Sequence, residues 1–192
     1  MRLGLVAVLG LVATFALASF AADVAASRDS STSLRRPLHL PKVAAGAKCP
    51  VSRVDRRIPW RRINIFGGMG IGPGPVYPGL PSAFVMATRD QLYGGQWFGS
   101  KVFWYVLPSY RGPVLLRGRR LDGGQRLGFN GRKLPAPELL IEPSQSVSWQ
   151  GQPPGSRGVP SSVRVRAPGC YGVQMDGMRF SRVVVFRVDM AK

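Results

Sequence analysis

Histidine is nearly absent from this chain, cysteine occurs twice, and acidic residues number nine against 27 lysines and arginines. Each shortage removes a class of chemistry. The single histidine, His39, has no serine and aspartate arranged near it by sequence and lies in a spacer-like stretch, which counts against a Ser-His-Asp hydrolase. One histidine and two cysteines cannot assemble a zinc ligand set, so no metal and no cofactor is expected. The acidic residues do not cluster: Asp55, Asp90, Asp122 and Asp176 stand in or beside turns or the basic stretch, where solvation or capping accounts for them. Glu138 and Glu142 lie four apart along one expected strand, a poor match to the paired carboxylates that face each other about 5–10 Å apart in a glycosidase cleft. After the first residues no amphipathic helical period is present either, which leaves β-structure as the fold class.

What the chain does have begins with an apolar run, Leu3 to Phe20, behind the single charge of Arg2. Small residues crowd its end, with Ala18, Ala21 and Ala22 as candidate last residues, and Asp23 follows. This is the pattern of a secretory signal peptide over 1–22, competing with an uncleaved anchor because the run approaches the ~20 residues that span a bilayer. Residues 23–48, rich in Ala, Ser, Arg and Pro without sustained periodicity, read as a flexible linker. Cys49 and Cys170 both fall beyond it. In an oxidising compartment an even count predicts one disulfide, tying the domain's first strand to its penultimate one, with two free buried thiols as the alternative.

From Cys49 to 192 the expectation is one domain of short strands. Ala83–Thr88, Lys101–Leu107, Pro113–Leu121, a weaker Arg126–Asn130, Leu139–Glu142 and Ser161–Arg166 are β-favouring runs separated by Gly and Pro turns. Trp104 is a candidate core residue. The end of the chain predicts a buried hairpin with Asp176-Gly177 as a type I′ turn, Met175 facing Met178 and Tyr171 facing Arg182. Gly67 to Pro81 carries Gly68-x-Gly70-x-Gly72 rather than a dinucleotide-binding spacing, and Pro73 and Pro75 exclude the helix such a loop needs. It reads as a long ordered loop anchored by Tyr77 and Leu80. The whole predicts an all-β, immunoglobulin-like antiparallel β-sandwich of about 7–8 strands.

Gly70-x-Gly72-Pro73-Gly74-Pro75-Val76-Tyr77-Pro78, the aromatic strand with Trp104, Arg119-Arg120-Leu121-Asp122-Gly123 and the terminal Pro168-Gly169-Cys170-Tyr171 together resemble a group of small exported bacterial proteins with immunoglobulin-like β-sandwich domains. The likeness covers Cys49 to Asp189, with Tyr171 where that group often has Trp. It implies the fold and brings no catalytic residues.

The formal charge of +18 favours anionic partners. Arg53, Arg56, Arg57, Arg61 and Arg62 surround Trp60, a set suited to bidentate anion contacts or to guarding an edge strand. Arg117, Arg119 and Arg120 are a second candidate group. Trp60, Trp97, Trp104 and Trp149 could alternatively form a sugar-stacking surface. The expectation is an exported, non-enzymatic immunoglobulin-like domain that binds or stabilises at the cell envelope. Its partner is an unknown envelope protein or an anionic surface polymer; nucleic acid does not suit an exported chain. The competing expectations are a polyanion- or membrane-surface-binding module that uses the arginines, and a hydrolase or inhibitor acting through the Gly/Pro loop.

Overall fold

Runs of β-branched and aromatic residues from Met69 onward fold into nine strands among the described residues. The computed structural model describes residues 32–66, 68–80 and 84–191. The expected signal peptide lies outside them. The chain divides between Arg35 and Arg36; before the division 32–34 are helical, and the domain described below follows it.

Its elements in order are a helical turn α1 (Trp60–Ile63), then β1 (Met69–Gly70), β2 (Val76–Leu80), β3 (Phe84–Arg89), β4 (Phe98–Val106), β5 (Val114–Arg120), β6 (Glu138–Ile141), β7 (Arg157–Val165), β8 (Gly169–Gly177) and β9 (Phe180–Met190). The strands hydrogen-bond in the order β1-β2-β4-β3-β9-β8-β5-β6, with β7 on the free side of β4. β3 joins the two halves. Thr88 and Arg89 pair antiparallel with β4, while Phe84 to Ala87 pair parallel with β9. The sheet is therefore mixed, not antiparallel throughout as expected. Both halves send alternate residues into one core, with Val102, Trp104 and Val163 from one and Leu116, Val173 and Phe186 from the other. A second cluster, Trp60, Ile63, Ile65, Tyr77, Phe103 and Tyr105, stands apart from it.

The all-β expectation holds, and several further details differ. The Gly/Pro segment is not a loop: β1 and β2 lie within it, Tyr77 and Leu80 are buried, and Val76 to Gly79 pair with β4. Its glycines are there because neighbours come close; a Cβ on Gly79 would sit 2.9 Å from Ile65 and 3.1 Å from the Phe103 carbonyl. The expected first strand from Cys49 is instead extended chain ending in α1, so the observed Cys49–Cys170 disulfide, spanning 121 residues, ties a pre-strand segment to β8. Arg126–Asn130 contributes isolated bridges at Arg126, Gly128 and Phe129 rather than a strand. Residues 36–40 of the expected flexible linker lie on β8: the His39 amide donates to Gln174 Oε1 (2.7 Å), and Gln174 Nε2 donates to the Pro37 carbonyl (2.9 Å). Gly172 leaves room there for Leu40, which is buried.

The terminal hairpin forms, but its turn is Met178-Arg179, two residues beyond the expected Asp176-Gly177. Met175 faces Arg182, and Tyr171 faces Phe186 with stacked rings. Asp176 is drawn into the sheet, where it is fully buried. Its carboxylate accepts from Arg117 Nη2 (2.7 Å), Ser181 Oγ (2.6 Å) and Gln174 Nε2 (3.0 Å). A buried carboxylate needs such partners, and β5 supplies the guanidinium only if Asp176 stays in the strand. That requirement outweighs the turn preference of Asp-Gly.

Candidate basic groove

Asp55 organises the arginine-rich segment. Its carboxylate accepts from the Arg57 amide (3.1 Å), from Arg57 Nε (2.9 Å) and Nη2 (2.7 Å), and from the Tyr77 hydroxyl (2.8 Å). Its carbonyl accepts from the Trp60 indole (2.8 Å). Four bonds to one carboxylate, with the Trp60 indole and the Ile58 amide (3.4 Å) both on its carbonyl, reverse the chain over 55–58 and start α1 at Trp60. The Arg57 contacts hold the Asp55 carboxyl well below the usual carboxylate range, against the opposing effect of burial. Burial, followed by the neighbouring Asp55, pushes the Tyr77 phenol above its usual value.

Helix geometry then sorts the side chains of α1. Trp60 and Ile63 face inward and are buried, whereas Arg61 and Arg62 are exposed. Trp60 lies over Gly70, where an added Cβ would fall 2.3 Å from the indole, and it meets Tyr77 and Tyr105 edge-on at 5.0 and 5.7 Å. Asn64, in a left-handed conformation, ends the helix with its amide bonded to the Trp60 carbonyl.

The result is an open groove of about 460 Å³ with an apolar floor of Val54, Ile58, Pro59, Trp60 and Met69 and a rim of Arg56, Arg61 and Arg62. A second hollow shares Val54 and Arg56 and adds Val51, Ser52 and Arg53. Arg57 is occupied by Asp55. Arg53, Arg56, Arg61 and Arg62 are exposed and have no side-chain partner among the described residues. Asp55 is the single acid between Cys49 and Met69. Three uncompensated cations, Arg56, Arg61 and Arg62, thus border the groove, and a fourth, Arg53, borders the adjoining hollow.

The other expected arginines do not form a comparable site. Arg117 is committed to Asp176 and to the Arg36 carbonyl. Arg120 Nε donates to Asp122 Oδ1 at 2.7 Å; burial works against ionisation of Asp122, but this bond and the Cys170 amide outweigh it and lower its carboxyl pKa. Arg119 is half-buried between them in sequence. The tryptophans form no shared platform either. Trp104 is in the core, Trp60 is buried, Trp149 packs on Phe103 and Tyr105 and donates to the Ile63 carbonyl, and Trp97 stacks with Arg166. Among the described residues no three His, Cys, Asp or Glu side chains converge on a point that could hold a metal ion.

The sequence pointed to the arginines and missed the groove between them. Val54, Ile58 and Met69 carry no signal in the sequence as a floor, because Met69 arrives from β1 and Asp55 bends the chain to meet it. No protein-family profile, curated protein or solved structure matches this chain. The intramolecular disulfide suggests an oxidising, extracytoplasmic compartment. Among the described residues no helix is long and apolar enough to cross a membrane.

Proposed function

We propose that this is an exported, non-enzymatic binding domain of the cell envelope that holds an anionic partner on the groove beside α1. The observation that carries this reading is the set of four exposed arginines, Arg53, Arg56, Arg61 and Arg62, with no carboxylate left to neutralise them. Guanidinium groups at the edge of an apolar depression are more effective than the same charges in open water, since they are weakly hydrated and bond phosphate or carboxylate bidentately. Outside this segment Arg36, Arg117, Arg120, Arg164 and Arg187 each reach a carboxylate, whereas Arg53, Arg56, Arg61 and Arg62 stand close together in sequence with none.

The finer fold assignment belongs to the same proposal. An immunoglobulin-like sandwich, and kinship with the small exported proteins that the sequence resembles, are supported by two half-sheets sharing one core, a buried Trp104, and a strand β3 that passes from one ladder to the other with parallel pairing to the last strand. The Tyr171 hydroxyl also bonds back to the Ala167 carbonyl at 2.7 Å, as a tyrosine corner does. The disulfide is a departure, because in antibody domains it joins the two sheets beside the core tryptophan.

Retention of the chain on isolated envelope material across a salt series tests the function. The expected result is retention at low salt that disappears by about 0.5 M, where screening is nearly complete over a few ångströms. The same retention should be lost in the Arg53, Arg56, Arg61 and Arg62→Gln variant. Equal retention of variant and parent, or retention indifferent to salt, would overturn the reading.

A further inference from the structure

The groove's chemistry narrows its occupant. We propose that this face seats on an anionic phospholipid surface, with the four arginines on lipid phosphates and the apolar floor against the upper acyl chains; this rests on the anion-binding reading above.

Three features favour lipid over other polyanions. First, the floor is apolar. Val54, Ile58 and Pro59 line it over Trp60, and Val51 and Met69 nearby are 42% and 40% exposed. A sulfated or phosphorylated glycan offers only small C–H patches between hydrated groups, whereas lipid offers acid and extended hydrocarbon a few ångströms apart. Second, the groove is inhospitable to an acidic peptide. A docking strand needs backbone partners, yet the edge of β1 is already taken. The Asp55 amide donates to the Gly70 carbonyl, the Gly72 amide donates to the Arg53 carbonyl, and Val54 bridges Ile71. The Trp60 indole N–H is likewise spent on Asp55. Third, arginine side chains reach past an apolar edge to phosphate while their stems remain against hydrocarbon. Near an anionic leaflet each basic residue strengthens association roughly fivefold, so four acting together give on the order of several hundredfold.

The test reads the groove itself. In the full chain, Met69→Cys carries an environment-sensitive fluorophore, and the probes are equimolar phosphatidylglycerol/phosphatidylcholine vesicles, phosphatidylcholine vesicles, and soluble dextran sulfate. The proposal expects a blue shift on the anionic vesicles that is reversed by salt, absent on neutral vesicles, and weakened about a hundredfold or more when the four arginines become Gln. Dextran sulfate binding through the arginines with no shift on anionic vesicles would overturn the lipid assignment and leave the anion-binding function standing. Equal shifts on neutral and anionic vesicles would also overturn it. If neither dextran sulfate nor vesicles engage the groove, both proposals fall.

Discussion

Asp55 is a carboxylate set within the most basic stretch of the chain, and its four bonds decide how that stretch is displayed. Only one of the five neighbouring arginines is neutralised in the process. Replacing Asp55 with Ala leaves the buried Tyr77 hydroxyl without its acceptor, a loss of about 1–3 kcal/mol, and should lower the urea midpoint accordingly. The pH dependence follows from the depressed carboxyl pKa. Ionised Asp55 contributes stability fully above the unfolded-state pKa of about 3.9, and the contribution fades as pH falls from there through the folded value. The gap between parent and Asp55→Ala should therefore be widest near neutrality and narrow steadily in acid. A gap independent of pH would mean that the carboxylate is not held by its charge.

At the scale of elements, the β8–β9 hairpin shows a local preference overruled by a distant contact. Asp176-Gly177 has the best turn chemistry in the segment, yet Gly177 is not in the left-handed region, and the turn falls on Met178-Arg179. Gly177 is needed for a different reason. A Cβ there would lie 2.3 Å from the Phe180 ring and 2.7 Å from the Tyr110 hydroxyl. Phe180 packs edge-on against Tyr110, which bonds the Met178 amide and the Pro113 carbonyl. Gly177→Ala should accordingly cost about 1–3 kcal/mol by overpacking. Most of that cost should vanish in a Phe180→Ala background, measured as a double-mutant cycle on thermal stability. An additive cycle would place the strain in the backbone instead.

For the whole molecule, the Cys49–Cys170 bond fixes the segment leading into the groove to the penultimate strand, with Cys170 buried and the Leu121 amide bonded to its carbonyl. Closing a loop of 121 residues limits the unfolded chain by about 4–5 kcal/mol in the entropic account. For a domain of this size that corresponds to a fall in Tm on the order of 10 °C when the bond is removed. Cys170→Ser should show this fall, and the parent should show the same after reduction. An unchanged Tm in both would mean that β8 holds the segment without the bond. The 36–40 strap, the disulfide and β3 all connect residues far apart in sequence, so the stability of this domain is largely non-local.

Period-two alternation and Gly/Pro punctuation made the β-class legible in the sequence, along with the seven strands β3 to β9, the core position of Trp104 and the cysteine pair. Those signals are local: a half-buried strand declares itself within a few residues. The arginine cluster was legible too, since charge needs no fold to be counted. Tertiary structure decided the rest, wherever two remote residues compete for one group. Arg117 on β5 draws Asp176 out of a turn, Tyr77 and Arg57 turn Asp55 into a hub, and Gln174 makes 36–40 part of the domain. The groove has the same origin, because its floor joins Val54 and Ile58 to a methionine from β1. Whether an arginine is free to bind or already paired depends on which carboxylates the fold brings to it, and spacing along the chain does not carry that information.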